Sequence, residues 1–307
     1  MRDWPVPDAL RARWAGDGWL DRLPRLADEL AETWGLDPDG QAWCGFNSAV
    51  WPVLDAGGRP LVLKVTHPEV DTGPEVAALR HWTTSAACVQ VAADDPARNS
   101  LLLERLDPAA DLERLPDADR AVEIIATLLA ALPAGPGPTG FATAAAEAAR
   151  IDANLARAET HDPVPARAVA QARETLADLV DDRGDRLLHF DAHFLNVLPV
   201  LGASGDDPRR WRLIDPLPRT GPVEWEPIAL LRNRWADVAA TGDPDRALRR
   251  RVDQVTEILG TDAARCREVA QAVAVDNLLH LLRHHPDHMF VPPYSVMAAW
   301  GAAPGAH

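Results

Sequence analysis

Cysteine is scarce in this chain, with three residues among 307, and Cys44, Cys88 and Cys266 lie far apart. They lack the short spacings of a zinc site or of a redox-active dithiol. The pattern therefore excludes a cysteine-based metal or redox centre. It predicts reduced, buried thiols of the kind found in cytosolic proteins.

The sequence also lacks an apolar run long enough to cross a membrane. Its first residues, Met1 to Asp8, carry acids and prolines where a secretory signal has basic residues followed by an apolar stretch. We therefore expect a cytoplasmic protein that does not associate with membranes.

Basic residues are in the minority, because 31 Lys and Arg stand against 46 Asp and Glu and give a formal net charge of −15. A field of this sign repels nucleic acid and attracts cations. The charge favours a small cationic substrate or a metal-assisted reaction over a nucleic-acid partner. We also expect a monomer or a weak dimer.

The hydrophobic pattern divides the chain into two parts. After two short helical segments, residues 41–104 show β-like runs around one helical stretch near Pro74 to Trp82. From residue 106 the chain is Ala/Leu-rich and helical, with one β-like hairpin between Leu187 and Ile214. Its longer helices are predicted at residues 119–131, 142–159, 166–181, 225–240, 244–259 and 262–284, with a last one at 295–300.

This layout predicts an α+β fold with two lobes, like that of protein kinases. The small β-rich N-terminal lobe with one helix, residues 1–105, would bind the nucleotide. The larger helical C-terminal lobe, residues 106–307, would carry the catalytic and substrate-binding residues. We expect the nucleotide between the lobes, where pockets commonly form.

The most informative segment is the run from His189 to Asn196, which is followed by Ile214-Asp215-Pro216. Phosphoryl transfer needs a carboxylate near the acceptor hydroxyl and oxygen ligands for magnesium. Asp191 is the candidate base, and Asn196 and Asp215 are the candidate magnesium ligands. Alone, the run could also be a strand and turn capped by Asp and Asn. Its position before a hairpin that ends in Asp215 favours the kinase interpretation.

The N-terminal part supplies candidate nucleotide contacts. Lys64 ends the apolar run from Leu61, and Glu75 on the following helix is the best candidate to fix it against the phosphates, with Glu69 and Asp71 as competitors. An ordinary surface pair is the alternative. The candidate phosphate and adenine contacts are Ser48, in a hairpin without a glycine-rich motif, and the backbone of Glu104 and Leu106.

Other patterns point elsewhere. His280 and His284 are spaced as ligands on one helix face, but no acidic or cysteine partner completes a zinc set. The chain has no HRD, DFG or APE sequence, so a protein kinase is disfavoured.

At its catalytic motifs the sequence resembles the aminoglycoside phosphotransferases, and among them the streptomycin 6-kinase type. The similarity extends over most of the chain. The matching segments are Val6-Pro-Asp-Ala-Leu10, Leu79-Arg-His-Trp82, Leu102-Leu-Glu-Arg-Leu-Asp107, His189-x-Asp-x-His-x-x-Asn-Val-Leu198, Ile214-Asp-Pro-x-Pro218, Ala240-Thr-Gly-Asp243 and Arg249-Arg-Arg251. The resemblance implies transfer of the ATP γ-phosphoryl group to an aminoglycoside hydroxyl with Mg²⁺, and a role in antibiotic resistance. It assigns Asp191 as base, Asn196 and Asp215 to magnesium, and Lys64 to the phosphates.

The chain departs from the family pattern at several places, among them Ala192, where leucine is usual, and Phe194-Leu195, in place of a more polar pair. Phe190 stands where many relatives have glycine, and Glu226 stands at the place of a family Asp in the altered segment Pro222 to Pro227. We expect Glu226, Trp225 and His193 on the substrate side. Two alternatives stay open: a kinase of another small hydroxylated molecule, and a catalytically silent kinase-like binding protein.

Overall fold

A computed structural model describes residues 2–158, 163–182, 184–203 and 205–302. The fold divides into two compact units. The first consists of Met1–Asp107 with Val200–Gly202, and the second of Pro108–Pro199 with Ala203–His307. The sequence-based division after residue 105 did not include the return of the chain to the first unit at Val200–Gly202.

The first unit is a sheet with three helices. In chain order its elements are α1 (Asp8–Arg13), α2 (Gly18–Trp34), β1 (Asp37–Pro38), β2 (Trp43–Cys44), β3 (Ser48–Leu54), β4 (Pro60–Thr66), α3 (Gly73–His81), β5 (Val91–Asp95) and β6 (Ser100–Glu104). The strands pair in the order β1-β3-β4-β6-β5, with β2 against β3. All these pairings are antiparallel.

Local sequence explains how this unit is built. Helix α2 begins after Asp17, whose side chain accepts the Trp19 N–H at 2.7 Å, and ends at Gly35 with a left-handed φ of 66°. The buried stripe of α2 joins Trp51 and Leu63 in one apolar cluster. Strand β4 pairs with β3 and β6, and its residues Leu61, Leu63 and Val65 are buried in the same cluster as α2.

The second unit is helical with two short ladders. Its elements are α4 (Ala118–Ala130), α5 (Ala144–Leu155), α6 (Ala166–Asp181), β7 (Arg186–Leu188), β8 (Val197–Pro199), β9 (Trp211–Leu213), β10 (Arg219–Gly221), α7 (Ile228–Leu231), α8 (Trp235–Ala240), α9 (Pro244–Leu259), α10 (Ala263–His284) and α11 (Val291–Ala298). Strands β8 and β9 form the predicted hairpin. Strand β10 pairs with β7 and was not predicted.

Most predicted helices are present, but three predictions differ from the structure in extent. The single helix expected over residues 225–240 is broken into α7 and α8, because Arg234 has a left-handed φ of 53°. The last helix starts at Val291, before the expected position, since prolines are tolerated in a first turn. The helix expected over 142–159 ends at Leu155, and residue 159 lies outside the described residues.

The structure bears on the predicted burial of the cysteines and on the search for membrane-spanning segments. Cys88 and Cys266 are buried as predicted, and burial raises the pKa of the Cys266 thiol to about 12. The prediction was wrong for Cys44, which is exposed where β2 ends in a hairpin turn. In the part of the chain that the structure describes, no helix is long and apolar enough to span a membrane.

Candidate active site

The predicted catalytic segment is the loop that joins β7 to β8 in the second unit. The Leu217 N–H donates to the His189 carbonyl at 3.0 Å, and the Ile214 N–H donates to the Asn196 carbonyl at 2.9 Å. His189 Nε2 lies 3.1 Å from the Ile214 carbonyl oxygen. These three contacts fix the chain around Asp215 against both ends of the loop.

Glu226 binds the backbone at the start of this loop. Its Oε1 accepts the His189 N–H at 2.6 Å, and its Oε2 accepts the Phe190 N–H at 3.0 Å. Burial raises the pKa of Glu226 to about 7, and the two N–H donors oppose that shift. The predicted substrate contact does not fit this placement, because the residue is 2% exposed and both oxygens are engaged. Glu226 instead positions the loop.

Two side chains donate hydrogen bonds to the carboxylate of Asp191. Arg232 Nη2 donates to Oδ1 at 3.0 Å, and Asn196 Nδ2 donates to Oδ2 at 3.3 Å. Burial raises the pKa of Asp191 to about 6, while Arg232 opposes this shift and Asp215 adds to it. At neutral pH most of the Asp191 carboxylate is therefore ionised, as a general base requires.

The amide of Asn196 turns its nitrogen toward Asp191. Nδ2 also donates to the Asp191 carbonyl at 3.0 Å, which leaves Oδ1 as an acceptor for a cation. An amide oxygen together with the Asp215 carboxylate suits Mg²⁺, a hard cation that keeps waters and phosphate oxygens as its other ligands. The predicted magnesium ligands therefore fit the ion.

A metal site made of protein groups alone is not found in the described ranges, where no set of three or more His, Cys, Asp or Glu side chains is placed to hold an ion. The rings of His280 and His284, which carried the zinc alternative, lie 4.9 Å apart on α10. A magnesium ion at Asn196 and Asp215 would need the triphosphate to complete its shell.

Both histidines of the catalytic loop are neutral at physiological pH. Burial lowers the pKa of His189 to about 3, and burial together with the Arg232 charge lowers that of His193 to about 4. His193 Nε2 lies 3.6 Å from Asp191 Oδ2. His193 is thus beside the candidate base, and its contact with substrate stays a prediction.

Phe190 adopts a left-handed backbone conformation with a φ of 65°. This region favours glycine, so the Phe190 side chain is held there at a cost in backbone strain. Phe190 stacks on Trp225 at 5.5 Å between ring centroids. Trp225 was expected to line a substrate pocket, but it is 3% exposed and packs against the loop.

The first unit contains the predicted Lys64–Glu75 ion pair. Lys64 Nζ lies 2.8 Å from Glu75 Oε1, and the two side chains are 9% and 12% exposed. Glu69, a competitor in the sequence, is exposed. The pair forms because β4 places Lys64 beside the first turn of α3, where Glu75 lies. A largely buried lysine held in this way is suited to bind phosphate oxygens.

The other predicted nucleotide contacts lie in the first unit, two of them on its sheet and one just after β6. Ser48 is buried at the start of β3, Glu104 ends β6, and Leu106 forms an isolated bridge with Val200. Their contacts with ATP stay predictions.

The hairpin before Ser48 carries a cation that the sequence did not indicate. Phe46 at its turn is 73% exposed. The Arg13 guanidinium of α1 lies 3.6 Å from the centre of its ring and donates to its carbonyl oxygen. The positive charge of Arg13 on α1 therefore lies at the predicted phosphate-binding turn, which contains one glycine, Gly45.

Sequence reasoning also missed three residues around Asp191. Arg232 contacts its carboxylate, and Tyr294 and Phe290 contact the Arg232 guanidinium. No local motif marks Arg232, which follows Asp191 by 41 residues. Tyr294 is the single tyrosine of the chain. Its rarity was the one feature of the sequence that could have drawn attention to this residue.

Comparison with known proteins places these motifs in a family. The profile described as aminoglycoside/hydroxyurea antibiotic resistance kinase matches residues 33–280, more than half of the chain. The chain belongs to this family. The predicted family and the phosphotransferase activity are thereby confirmed, and a kinase of this family and fold uses ATP as its co-substrate.

Two relatives in this family are named for different acceptor molecules. The streptomycin 6-kinase of Streptomyces glaucescens is 36% identical over 85% of this chain and 85% of its own length. The hydroxyurea phosphotransferase of Kitasatospora aureofaciens is 34% identical over 86% of this chain and 75% of its own length.

A solved structure confirms the fold. The ethanolamine kinase of Plasmodium vivax has a TM-score of 0.53 and 14% identity, and the match covers 93% of this chain and 87% of that one. At this identity the likeness shows the fold alone. The predicted kinase-like α+β fold is therefore confirmed.

Proposed function

We propose that this kinase transfers the γ-phosphoryl group of ATP to a hydroxyl group of an aminoglycoside antibiotic, with streptomycin as the first acceptor to test. The transfer would inactivate the drug and confer resistance. The observation that carries the proposal is the cluster of Asp191, Asn196 and Asp215, held together by backbone contacts in one loop region. Phosphoryl transfer depends mainly on such positioning and on charge neutralisation.

Each candidate residue has one role in this proposal. Asp191 orients the acceptor hydroxyl and accepts its proton late in a loose transition state. Asn196 and Asp215 would hold Mg²⁺, which would supply positive charge to neutralise the phosphate oxygens. Lys64, fixed by Glu75, binds the phosphates of ATP. Ser48 and the backbone of Glu104 and Leu106 provide the remaining nucleotide contacts.

The acceptor is proposed from charge and family together. A net charge of −15 attracts a polycationic antibiotic, and a relative that is 36% identical is a streptomycin 6-kinase. Hydroxyurea is the second candidate. A relative that is 34% identical is named a hydroxyurea phosphotransferase, and the description of the matching family also names hydroxyurea. Because the reaction consumes ATP, we expect the enzyme to act in the cytoplasm.

A mass-spectrometric assay tests the proposal. The purified protein is incubated with ATP and Mg²⁺ and with each of three acceptors: streptomycin, a second aminocyclitol antibiotic and hydroxyurea. We expect a gain of one phosphate on streptomycin and loss of that product with Asp191→Asn. Product with hydroxyurea alone would replace the first acceptor by the second. The absence of any phosphorylated product, with ATP binding retained, would favour the silent binding protein.

A further inference from the structure

Arg232 lies just after α7, 41 residues from Asp191 in sequence, and contacts the candidate base directly. Its Nη2 donates to Asp191 Oδ1 at 3.0 Å, and the two side chains are 28% and 20% exposed. A charge-assisted hydrogen bond in a half-buried position is stronger and more directional than a surface ion pair. The contact therefore restrains the orientation of the carboxylate.

Helix α11 holds Arg232 in place. The buried Tyr294 hydroxyl lies 3.5 Å from Arg232 Nη1, and the guanidinium carbon lies 5.3 Å from the centre of the Phe290 ring. These contacts use the planar shape of the guanidinium as well as its charge. The Arg232 side chain is thus oriented before any substrate binds.

The two oxygens of Asp191 have different surroundings. Oδ1 is bound by the Arg232 guanidinium, whereas Oδ2 has longer contacts, at 3.3 Å with Asn196 Nδ2 and at 3.6 Å with His193 Nε2. An acceptor hydroxyl needs one carboxylate oxygen at about 2.6–3.2 Å. Oδ2 is the oxygen that can offer such a contact without displacing a cation.

We propose that Arg232 is a positioning residue of the transfer reaction, which fixes the Asp191 carboxylate through Oδ1 and thereby presents Oδ2 to the acceptor hydroxyl. The inference rests on the proposed kinase function. Its consequence is a role in turnover without a role in ATP binding. An arginine so close to the base makes it less basic, but a loose transition state demands orientation more than basicity.

The test compares Arg232→Gln and Arg232→Lys with the wild-type enzyme in steady-state kinetics. We expect Arg232→Gln to lower kcat by about 10- to 100-fold, since small misplacements of a reacting group have effects of this size. The KM for the acceptor and the calorimetric Kd for ATP with Mg²⁺ should stay within about threefold, because the contact acts on Asp191 alone. Arg232→Lys should recover part of the loss, since it keeps the charge without the planar fork.

The control is Arg173→Gln, which removes an exposed Arg–Asp pair between α6 and α5 with a distance of 2.7 Å to Asp152. It should leave kcat unchanged.

If Arg232→Gln does not fold, Tyr294→Phe serves in its place and should lower kcat by about 2- to 10-fold through loss of one hydrogen bond. A kcat within twofold of wild type in the folded Arg232 or Tyr294 variants would overturn the inference, as would equal losses in the Gln and Lys variants. Wild-type protein that phosphorylates no acceptor overturns the proposed function itself.

Discussion

The backbone N–H of Phe190, held in a left-handed conformation with a φ of 65°, donates to the Glu226 carboxylate at 3.0 Å. An aromatic side chain thus occupies a conformation that usually needs glycine, immediately before the candidate base. The strain of about 1–2 kcal/mol is offset by this hydrogen bond and by stacking on Trp225.

Phe190→Gly and Phe190→Ala separate the strain from the stacking. Both variants lose the ring contact with Trp225, but alanine retains the left-handed strain and glycine does not. We expect Phe190→Gly to be more stable than Phe190→Ala by about 1 kcal/mol in urea denaturation. Equal stabilities, or a more stable alanine variant, would show that the left-handed conformation is not retained in solution.

Glu226→Gln is expected to lower turnover while changing the pH dependence of stability. The folded pKa of about 7 lies above the ordinary glutamate pKa of 4.5, so the folded state binds more protons than the unfolded state between these two values. The contribution of Glu226 to the free energy of unfolding is therefore full below about pH 4.5 and lost as the pH rises through about 7. The loss is on the order of 3 kcal/mol.

The glutamine variant cannot ionise, so it should gain stability relative to wild type as the pH rises from 5 to 8. Chemical denaturation at several pH values measures this difference. Its kcat should fall by about 10-fold or more, because one of the two loop N–H groups loses its acceptor and the loop shifts. A constant difference in stability across this range would contradict the assignment of Glu226 as the titrating group.

The Lys64–Glu75 pair predicts opposite results for stability and activity. Lys64→Met removes a cation 2.8 Å from the largely buried Glu75 and should destabilise the protein by about 3 kcal/mol. The double variant Lys64→Met/Glu75→Gln should recover most of this stability, as followed by thermal unfolding. It should not recover ATP turnover, because the phosphate-binding charge is still missing. Recovery of activity in the double variant would mean that Lys64 has a structural role alone.

Asp191→Asn and Asp215→Asn distinguish the base from the metal ligand. Asp215→Asn should weaken magnesium-dependent ATP binding in calorimetric titration, since a charged ligand is replaced by a neutral one. Asp191→Asn should preserve that binding and lower kcat by about 100-fold or more. Similar binding losses in both variants would place both residues on the metal.

The sequence predicted the parts of the site that lie close together along the chain. The run from His189 to Asn196, the returning strand before Asp215 and the Lys64–Glu75 pair each follow from short spacings and strand or helix periodicity. The fold class followed from the change between β-like and helical patterns.

The missed contacts come from long sequence separations. Arg232 contacts Asp191, which is 41 residues away in the sequence. Strand β10 pairs with β7, and no short sequence motif predicts that pairing. Glu226 was interpreted as a substrate contact because its position in a family pattern does not reveal that its oxygens bind backbone N–H groups. Such pairings depend on tertiary packing, which overrides local preference.

Main-chain hydrogen bonds at both ends, besides the Glu226 carboxylate, set the geometry of the loop from His189 to Asn196. Its ends are bonded through main-chain atoms to Ile214 and Leu217, and Leu195 between them is 50% exposed. Random replacement of Leu195 should therefore yield many active clones, whereas replacements at Asn196 should yield few. An engineer who wishes to graft a binding handle or a reporter dye beside the reaction centre would begin at Leu195.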